Sequence, residues 1–229
     1  MVYLFDAKII NSANALVFLR SLNSIGKSDF GFLDSASTLN RYFCKLNSNF
    51  MRIYLLGYMG SGKSSIGKKI ATKLKYSYID LDQSIENEHN QSISALFANK
   101  GEHEFRRIER HTLHKTFISD NLVVSTGGGT SVFFDNLELM LKNGLCIYLK
   151  ADSGILTNRL IPNQKQRPVI AHLDKEDLQN FIEEQLKIRA PFYEKAQLHI
   201  ESKDLTPEIL YSQIQNWIKY HLNPSKNKA

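Results

Sequence analysis

The chain has 229 residues with a formal net charge of +6, and 42% of its residues are hydrophobic. These values are typical of a globular protein that buries one substantial core and carries an appendage. Two cysteines, Cys44 and Cys146, are too few for a disulfide framework, so we expect a reducing, cytoplasmic compartment. No apolar run reaches the roughly 18 to 20 residues that a membrane helix needs. The basic residues are scattered among 23 acidic ones, so we expect neither a membrane nor a nucleic acid as a partner.

Residues 1–50 differ in kind from the rest of the chain. They are rich in Ser and Asn and show no clear helical or strand period. A targeting peptide is one interpretation, but Asp6, Asp29 and Asp34 argue against a transit peptide, and no signal-peptide layout is present. We interpret the segment as an N-terminal extension without an assigned function, an over-called start, with the product beginning at Met51.

After Met51, strand-like and helix-like patterns alternate. This βαβ rhythm predicts a parallel sheet covered by helices. Thr206 and Pro207 supply the N-cap and the first position of the last helix. The predicted strands are residues 52–56, 77–81, 122–126, 145–149 and 198–201; the predicted helices are 64–74, a helical region up to about 117, 137–142, 175–189 and 207–222.

A glycine-rich loop follows the first predicted strand. Residues 57–64 match the pattern G-x-x-x-x-G-K-[ST], and a predicted helix comes next. The backbone N–H groups of such a loop face inward at a helix N-terminus, where phosphate is favoured. Lys63 should reach the β- and γ-phosphates of ATP or GTP, and the Ser64 hydroxyl should ligate Mg²⁺. The residues predicted to bind the nucleotide are Gly60, Ser61, Gly62, Lys63, Ser64 and Ser65.

Asp80 and Asp82 close the second predicted strand. Their spacing would place both on one strand face at the carboxyl end of the sheet, where ligands bind. One carboxylate could accept a hydrogen bond from an acceptor hydroxyl and take its proton, and the other could hold Mg²⁺ through water. The alternative is that the pair ends a strand and caps a helix beginning at Ser84. Alone, the pair does not decide between these interpretations.

Two further segments carry unusual chemistry. Arg106 and Glu109 lie three apart on one predicted helix face, where the acid could hold the guanidinium ready for a carboxylate; a solvated face is the alternative. A triplet, Gly127 to Gly129, follows the third predicted strand and lets a ligand approach bare backbone amides. It replaces the usual acidic end of that strand, which argues against GTPases and most ATPases.

Four motifs together, in this order and spacing, resemble the shikimate kinase family: the phosphate loop, the D-x-D pair, G-E-x-x-F-R at residues 101–106, and the glycine triplet. The similarity runs from Met51 to about Leu222. It implies that Asp82 contacts the substrate hydroxyls as the candidate base and that Arg106 binds the shikimate carboxylate. It also implies that the triplet, Gly127, Gly128 and Gly129, lines the shikimate pocket.

The same resemblance implies roles for two more arginines. Arg167, in an Arg-Pro pair near a mobile lid at about 160–170, would close over the ATP phosphates. Arg189 lies in an R-x-P-x-Y segment and would hold the same carboxylate as Arg106. The adenine contacts are poorly defined by motif, with Arg159 as a candidate.

We therefore predict a three-layer α/β P-loop kinase with a central parallel sheet, an acceptor-binding helical region near 82–118 and a lid. The predicted reaction transfers the γ-phosphoryl of ATP to the 3-hydroxyl of shikimate, in aromatic amino acid biosynthesis. Lys63 and Arg167 would stabilise charge, Asp82 would orient or deprotonate the hydroxyl, and Mg²⁺ would be held by Ser64 and, through water, Asp80. A monomer is expected. The alternatives are a gluconate or nucleoside monophosphate kinase of the same fold, and a nucleotide-binding regulator that has lost transfer.

Overall fold

The computed structural model describes residues 51–167 and 169–222; the predicted extension at 1–50 and Pro168 lie outside this part of the chain. Its centre is a sheet of five strands in the order β2-β3-β1-β4-β5, in which every pair of neighbours is parallel. The prediction of a parallel α/β sheet is confirmed. The strands are β1 (Arg52–Leu56), β2 (Ser77–Asp80), β3 (Leu122–Ser125), β4 (Leu145–Lys150) and β5 (Leu198–Glu201).

Helices connect the strands and cover both faces of the sheet. Two short 3₁₀ segments, Thr116–Ile118 and Ile161–Gln166, extend two of these helices. Among the described residues, no helix combines the length and the apolarity needed to cross a membrane. The helices are α1 (Lys63–Leu74), α2 (Leu81–His89), α3 (Ile93–Lys115), α4 (Asn136–Asn143), α5 (Ser153–Leu160), α6 (Lys175–Tyr193) and α7 (Pro207–Leu222).

The alternation of side chains along β1 creates the three layers. Ile53 and Leu55 point to one face, where they pack in a cluster with residues of α1 and α7, among them Ile70 and Ile214. Tyr54 and Leu56 point to the opposite face and pack with residues of α3 and α4. Because successive side chains of a strand alternate between faces, an entirely apolar strand needs a helical layer on each side.

The position of β1 brings the predicted motifs to one edge of the sheet. β1 lies between β3 and β4. Since parallel strands end at the same edge, the loop after β1, the aspartates at the end of β2 and the glycines after β3 share one crevice.

The end of β2 differs from the prediction. The strand stops at Asp80, whose side chain accepts a 3.3 Å hydrogen bond from the backbone N–H of Gln83 and thereby caps α2. Asp82 consequently lies in the first helical turn, and the prediction that Asp80 and Asp82 share a strand face is wrong. The physical reason is N-capping: an aspartate that satisfies a free first-turn N–H favours the start of a helix directly after itself, before Ser84.

A glycine interrupts α3. Gly101 has φ 76° and ψ 167°, outside helical geometry, so α3 consists of two helical segments. The second segment carries the G-E-x-x-F-R motif, in agreement with the prediction that this motif opens a helix. The helical region predicted as one stretch is therefore α2, the two segments of α3 and the 3₁₀ turn Thr116–Ile118.

The chain between β4 and α6 received no element in the prediction apart from the lid. Asp152 begins α5 there by accepting a 2.7 Å hydrogen bond from the N–H of Ile155. α6 also extends beyond its predicted end, through Pro191 to Tyr193. The predicted cap of α7 is confirmed, because Thr206 Oγ1 accepts a 3.3 Å hydrogen bond from the N–H of Ile209.

Candidate active site

The phosphate loop joins β1 to α1 through left-handed backbone. Gly57, Gly60 and Gly62 all have positive φ, at 137°, 83° and 94°, which glycine adopts without a steric penalty. Gly62 is the N-cap of α1 and has no side chain with which to cap it. The first N–H groups of the helix therefore face the loop, an arrangement suited to phosphate oxygens.

Lys63 lies beneath the loop. Its Nζ donates hydrogen bonds to the carbonyl oxygens of Gly57 and Tyr58 at 2.8 and 2.9 Å. Burial lowers the pKa of Lys63 to about 8, although the carboxylates of Asp82 and Asp80 partly oppose this change. The ammonium is therefore held at the loop by backbone oxygens and faces both aspartates.

The Asp80 carboxylate is fixed by donors from three elements. Ser64 Oγ on α1 donates to its Oδ2 at 2.6 Å, and the Tyr78 hydroxyl on β2 donates to the same oxygen at 3.3 Å. Its Oδ1 accepts the capping bond from Gln83 on α2. The two residues predicted to hold Mg²⁺ thus lie in direct contact.

Asp82 faces the same crevice from α2. A Cβ at Gly127 would lie 2.9 Å from Asp82 Oδ1 and 2.8 Å from Glu109 Oε1, so both carboxylates approach this glycine. Burial raises the pKa of Asp82 to about 6, and the negative charges of Glu109 and Asp80 add to the effect. Asp82 therefore faces the predicted crevice, although it lies on a helix and not on the predicted strand.

Arg106 is held by two acidic side chains. Its Nη1 donates to Glu109 Oε2 at 2.8 Å, and its Nη2 donates to Glu102 Oε1 at 3.2 Å. Arg106 is 8% exposed and Glu109 is 1% exposed, which excludes the alternative of a solvated helix face. The prediction that Glu109 holds the guanidinium is confirmed.

Aromatic rings surround the same guanidinium. Its carbon lies 4.1 Å from the ring centre of Phe133, and Phe105 and Phe97 lie at 5.2 and 5.5 Å. The rings favour the cation electrostatically and keep water away from it. Nε of Arg106 is buried and has no hydrogen-bond partner among residues 51–167 and 169–222.

The glycine triplet separates the two predicted acceptor arginines. A Cβ at Gly129 would lie 2.8 Å from Arg106 Nη2, and one at Gly128 would lie 3.4 Å from Arg189 Nη1. Any side chain at Gly129 would therefore displace the guanidinium of Arg106. The bare backbone here lets two cations approach the same loop.

Arg189 reaches the triplet from α6. Gln185 accepts a 2.7 Å hydrogen bond from its Nη2, and the guanidinium carbon lies 5.2 Å from the ring centre of Tyr58 in the phosphate loop. The buried hydroxyl of Tyr193, one turn further along α6, donates to the Gly128 carbonyl. These contacts fix α6 against both loops.

Arg167 follows the 3₁₀ segment Ile161–Gln166. Its positive charge, like that of Arg189, lowers the pKa of Lys63, so it lies near enough to the phosphate loop to act on it electrostatically. Pro168, the second residue of the predicted Arg-Pro pair, lies outside the described part of the chain. Closure of a lid over phosphates stays a prediction.

A cavity of about 270 Å³ is lined by the phosphate loop, the first half of α1 and residues that follow β5. Arg159 enters it, with Nη1 donating to the Gly60 carbonyl at 3.3 Å and Nη2 to the Ser202 carbonyl at 2.7 Å. The other lining residues, Ser202, Leu205 and Pro207, were not among the predicted site residues. No motif marks these residues; their position after β5, at the ligand-binding edge of the sheet, was the available signal.

Comparison with known proteins decides the family. A family model described as shikimate kinase matches residues 59–219, most of the chain. The chain belongs to the shikimate kinase family. A shikimate kinase of Parabacteroides distasonis is 40% identical over 165 residues, which cover 72% of this chain and 95% of that protein.

Solved shikimate kinases agree with this assignment. The crystal structure of the enzyme from Bacteroides thetaiotaomicron superposes with a TM-score of 0.68 at 37% identity, covering 75% of this chain and 98% of that one. The shikimate kinase from Acinetobacter baumannii in complex with shikimate gives 0.69 at 28% identity, covering 81% and 99%.

Membership in the shikimate kinase family confirms the predicted family and the predicted P-loop kinase fold. The chain is an ATP-dependent kinase of that family, which sets aside the gluconate kinase, the nucleoside monophosphate kinase and the inactive regulator as alternatives. The roles of the individual site residues are a separate question.

Proposed function

We propose that the chain transfers the γ-phosphoryl group of ATP to the 3-hydroxyl of shikimate, giving shikimate 3-phosphate and ADP. The convergence of Arg106, Arg189 and Asp82 on the glycine triplet carries this proposal. Shikimate presents one carboxylate and a set of ring hydroxyls. Two arginines and an acidic side chain around bare backbone match these groups.

Arg106 and Arg189 bind the carboxylate of shikimate. A Cβ at Gly129 would lie 2.8 Å from Arg106 Nη2 and one at Gly128 would lie 3.4 Å from Arg189 Nη1, so both guanidinium groups reach the same loop. Guanidinium groups pair with carboxylates through parallel N–H donors, and exclusion of water strengthens the pair. Arg106 is already held by Glu109, so little side-chain freedom is lost on binding.

Asp82 orients the acceptor hydroxyl and takes its proton during transfer. Its raised pKa of about 6 leaves it ionised at neutral pH and makes it a stronger base than an ordinary aspartate. Lys63 is held at the phosphate loop and is close enough to Asp82 to feel its charge, so the base lies near the phosphate-binding cation.

Charge on the transferred group is stabilised by cations of this chain. The phosphate loop supplies backbone N–H groups and Lys63, and Arg167 adds a second positive charge near Lys63. Phosphoryl transfer depends mainly on such positioning and electrostatic stabilisation. We therefore assign Lys63 and Arg167 to charge stabilisation.

Mg²⁺ fits the pair formed by Ser64 and Asp80. A hydroxyl and a carboxylate are hard oxygen ligands, and the described residues contain no cluster of three or more His, Cys, Asp and Glu side chains that would hold a metal by themselves. A site with few protein ligands suits Mg²⁺, which keeps waters and phosphate oxygens. When bound, the ion neutralises charge on the phosphates; Ser64 would hold it directly, and Asp80 through water.

The adenine base of ATP occupies the cavity beside Arg159. The guanidinium is fixed on Gly60 and Ser202, and Leu205 and Pro207 contribute apolar surface to the same cavity. A planar cation and an apolar surface are suited to the two faces of an aromatic base. This location places the phosphates of the same nucleotide at the loop.

A monomer in the cytoplasm completes the proposal. Size-exclusion chromatography with light scattering tests the monomer, because the measured molar mass of a dimer would be twice that of the chain.

A coupled ADP-release assay with Mg-ATP tests the function. The full chain is offered shikimate, gluconate and nucleoside monophosphates separately. Turnover with shikimate alone is expected, and turnover with another acceptor alone would overturn the assignment of the pocket. The same assay on residues 51–229 tests whether the extension is dispensable, as predicted.

A further inference from the structure

The side-chain hydroxyl of Thr130, directly after the glycine triplet, donates to none of the groups so far assigned to substrate. Its side chain is completely buried, and its Oγ1 donates a 2.6 Å hydrogen bond to Glu109 Oε1, 21 positions earlier in the chain. Its backbone is held separately: its N–H donates to the Gly127 carbonyl at 3.2 Å, and its carbonyl accepts from Asn136 Nδ2 at 2.9 Å. The hydroxyl is therefore not needed to fix the loop.

The two oxygens of the Glu109 carboxylate are divided between two partners. Oε1 accepts from Thr130, and Oε2 accepts from Nη1 of Arg106 at 2.8 Å. A carboxylate buried to this degree depends on such partners, because water does not replace a lost one cheaply. With Oε1 occupied by Thr130, the carboxylate presents Oε2 to Arg106.

We infer that Thr130 is a positioning residue of the acceptor site: its hydroxyl fixes Glu109, and Glu109 holds Arg106 in the orientation that binds the substrate carboxylate. This inference rests on the proposed role of Arg106. Thr130 touches neither substrate nor the phosphate loop in this scheme and acts through two intermediate side chains.

The local packing leaves Glu109 little alternative. A Cβ at Gly127 would stand 2.8 Å from Glu109 Oε1 and 3.0 Å from Thr130 Oγ1, so the hydroxyl and the carboxylate meet directly over this glycine. Without the hydroxyl, Oε1 has no donor and lies near the like charge of the Asp82 carboxylate, which faces the same glycine, so the Glu109 carboxylate turns toward the Arg106 guanidinium. This movement changes the direction in which Nη1 is held.

Thr130→Val tests the inference in the full chain. Valine keeps the shape and the backbone contacts and removes only the hydroxyl. We expect KM for shikimate to rise about tenfold, as for the loss of one charge-assisted hydrogen bond, while KM for ATP and kcat stay within about a factor of two. Thr130→Ser, which keeps the hydroxyl, should restore KM for shikimate.

A control in the same loop separates positioning from packing. Thr126 Oγ1 is also buried and donates to the Leu55 carbonyl at 2.9 Å, so Thr126→Val removes a comparable hydrogen bond without touching Glu109. We expect Thr126→Val to lower the melting temperature without a selective rise in KM for shikimate. If Thr130→Val does not fold, Thr130→Ala and Thr130→Ser are compared, since they differ by the hydroxyl alone.

The outcomes separate the inference from the proposed function. Unchanged KM for shikimate in Thr130→Val, equal rises for both substrates, or equal defects in the Ala and Ser variants overturn the positioning role. Arg106→Lys is measured in parallel. If Arg106→Lys leaves KM for shikimate unchanged, the proposed function of Arg106 fails and the inference falls with it; if only Arg106→Lys raises it, the inference alone fails.

Discussion

The hydroxyl of Ser64 donates a 2.6 Å hydrogen bond to Oδ2 of Asp80, joining the first turn of α1 to the end of β2. Asp80 is at the same time the N-cap of α2. One carboxylate therefore links three elements at the carboxyl edge of the sheet. Its position is set by the fold before any ligand is present.

Asp80→Asn should raise the Mg²⁺ concentration needed for half-maximal activity by about tenfold. An amide binds a hard cation more weakly than a carboxylate, but asparagine caps a helix about as well as aspartate, so the fold is retained. The measurement is the initial rate against Mg²⁺ at fixed ATP. Tyr78→Phe, which removes one donor but keeps the carboxylate, is the control. An unchanged Mg²⁺ requirement in Asp80→Asn would remove Asp80 from the metal site.

Asp82→Asn should lower kcat by at least about a hundredfold, the usual scale for loss of a positioned base. ATP binding should stay nearly intact, because Asp82 faces Gly127 of the glycine triplet and is not part of the phosphate loop. Steady-state kinetics and ATP titration by fluorescence measure the two quantities. Unchanged turnover would show that Asp82 neither orients nor deprotonates the hydroxyl.

The same variant carries a stability signature. The pKa of Asp82 rises on folding from 3.8 to about 6, so its ionised form is disfavoured in the folded protein and the cost develops as the pH rises through this interval. Asp82→Asn should therefore raise the melting temperature at pH 8, and the gain should shrink as the pH falls toward about 4. A melting temperature below that of the parent at pH 8 would contradict this account of the site.

The pH profile of kcat/KM should be bell-shaped. Asp82 must be ionised, so activity should fall as the pH drops through about 6, and Lys63 must be charged, so activity should fall as the pH rises through about 8. The profile of kcat/KM reports groups of the free enzyme. A profile that stays flat between about pH 5 and 9 would show that neither group governs turnover.

Arg106→Ala should raise KM for shikimate about a hundredfold while KM for ATP changes little. The neighbouring Arg107 provides the matched control, since its side chain is 67% exposed and lies 3.9 Å from Glu104. Arg107→Ala removes the same charge from the same helix and should leave both constants near those of the parent. Equal effects of the two variants would mean that net charge, rather than a built site, attracts the substrate.

Arg159→Ala should raise KM for ATP about fivefold to tenfold, as expected for loss of one face of a base-binding cleft. KM for shikimate should not change, because no residue of the glycine triplet lines the cavity. Competition with AMP provides a second measurement: its inhibition should weaken in parallel. If Arg159→Ala instead lost affinity for shikimate selectively, the assignment of the cavity to adenine would be wrong.

The sequence predicted those parts of the site in which a backbone conformation is itself the function. The phosphate loop and the glycine triplet need glycine at fixed positions. Their residues are neighbours in the sequence, so both could be recognised without a structure. Asp82 shows the limit of that approach. The strand-like pattern of 77–81 continues past Asp80, but the capping bond from Gln83 ends the strand there. Strand propensity and helix capping favour different structures at this point with similar strength, so the sequence alone does not decide between them.

Contacts between distant segments were harder to predict. Glu109 was found because its partner lies three positions away on one helix. Thr130 and Ser202 were missed because their partners, Glu109 and Arg159, lie far away in the chain, and nothing in their own neighbourhood distinguishes them from ordinary loop residues. Only the order of the strands brings these pairs together.

The break at Gly101 makes α3 sensitive to the chirality of the residue at this position. Its φ of 76° and ψ of 167° are the mirror image of ordinary extended backbone, and a Cβ there would meet nothing within 4 Å. An L-alanine would therefore be disfavoured by these backbone dihedral angles and not by a steric clash with neighbouring residues, whereas a D-alanine adopts the same angles without strain. In a chemically synthesised chain, D-alanine at this position should stiffen the unfolded state and stabilise the helix that carries Arg106, with no change in any of its contacts.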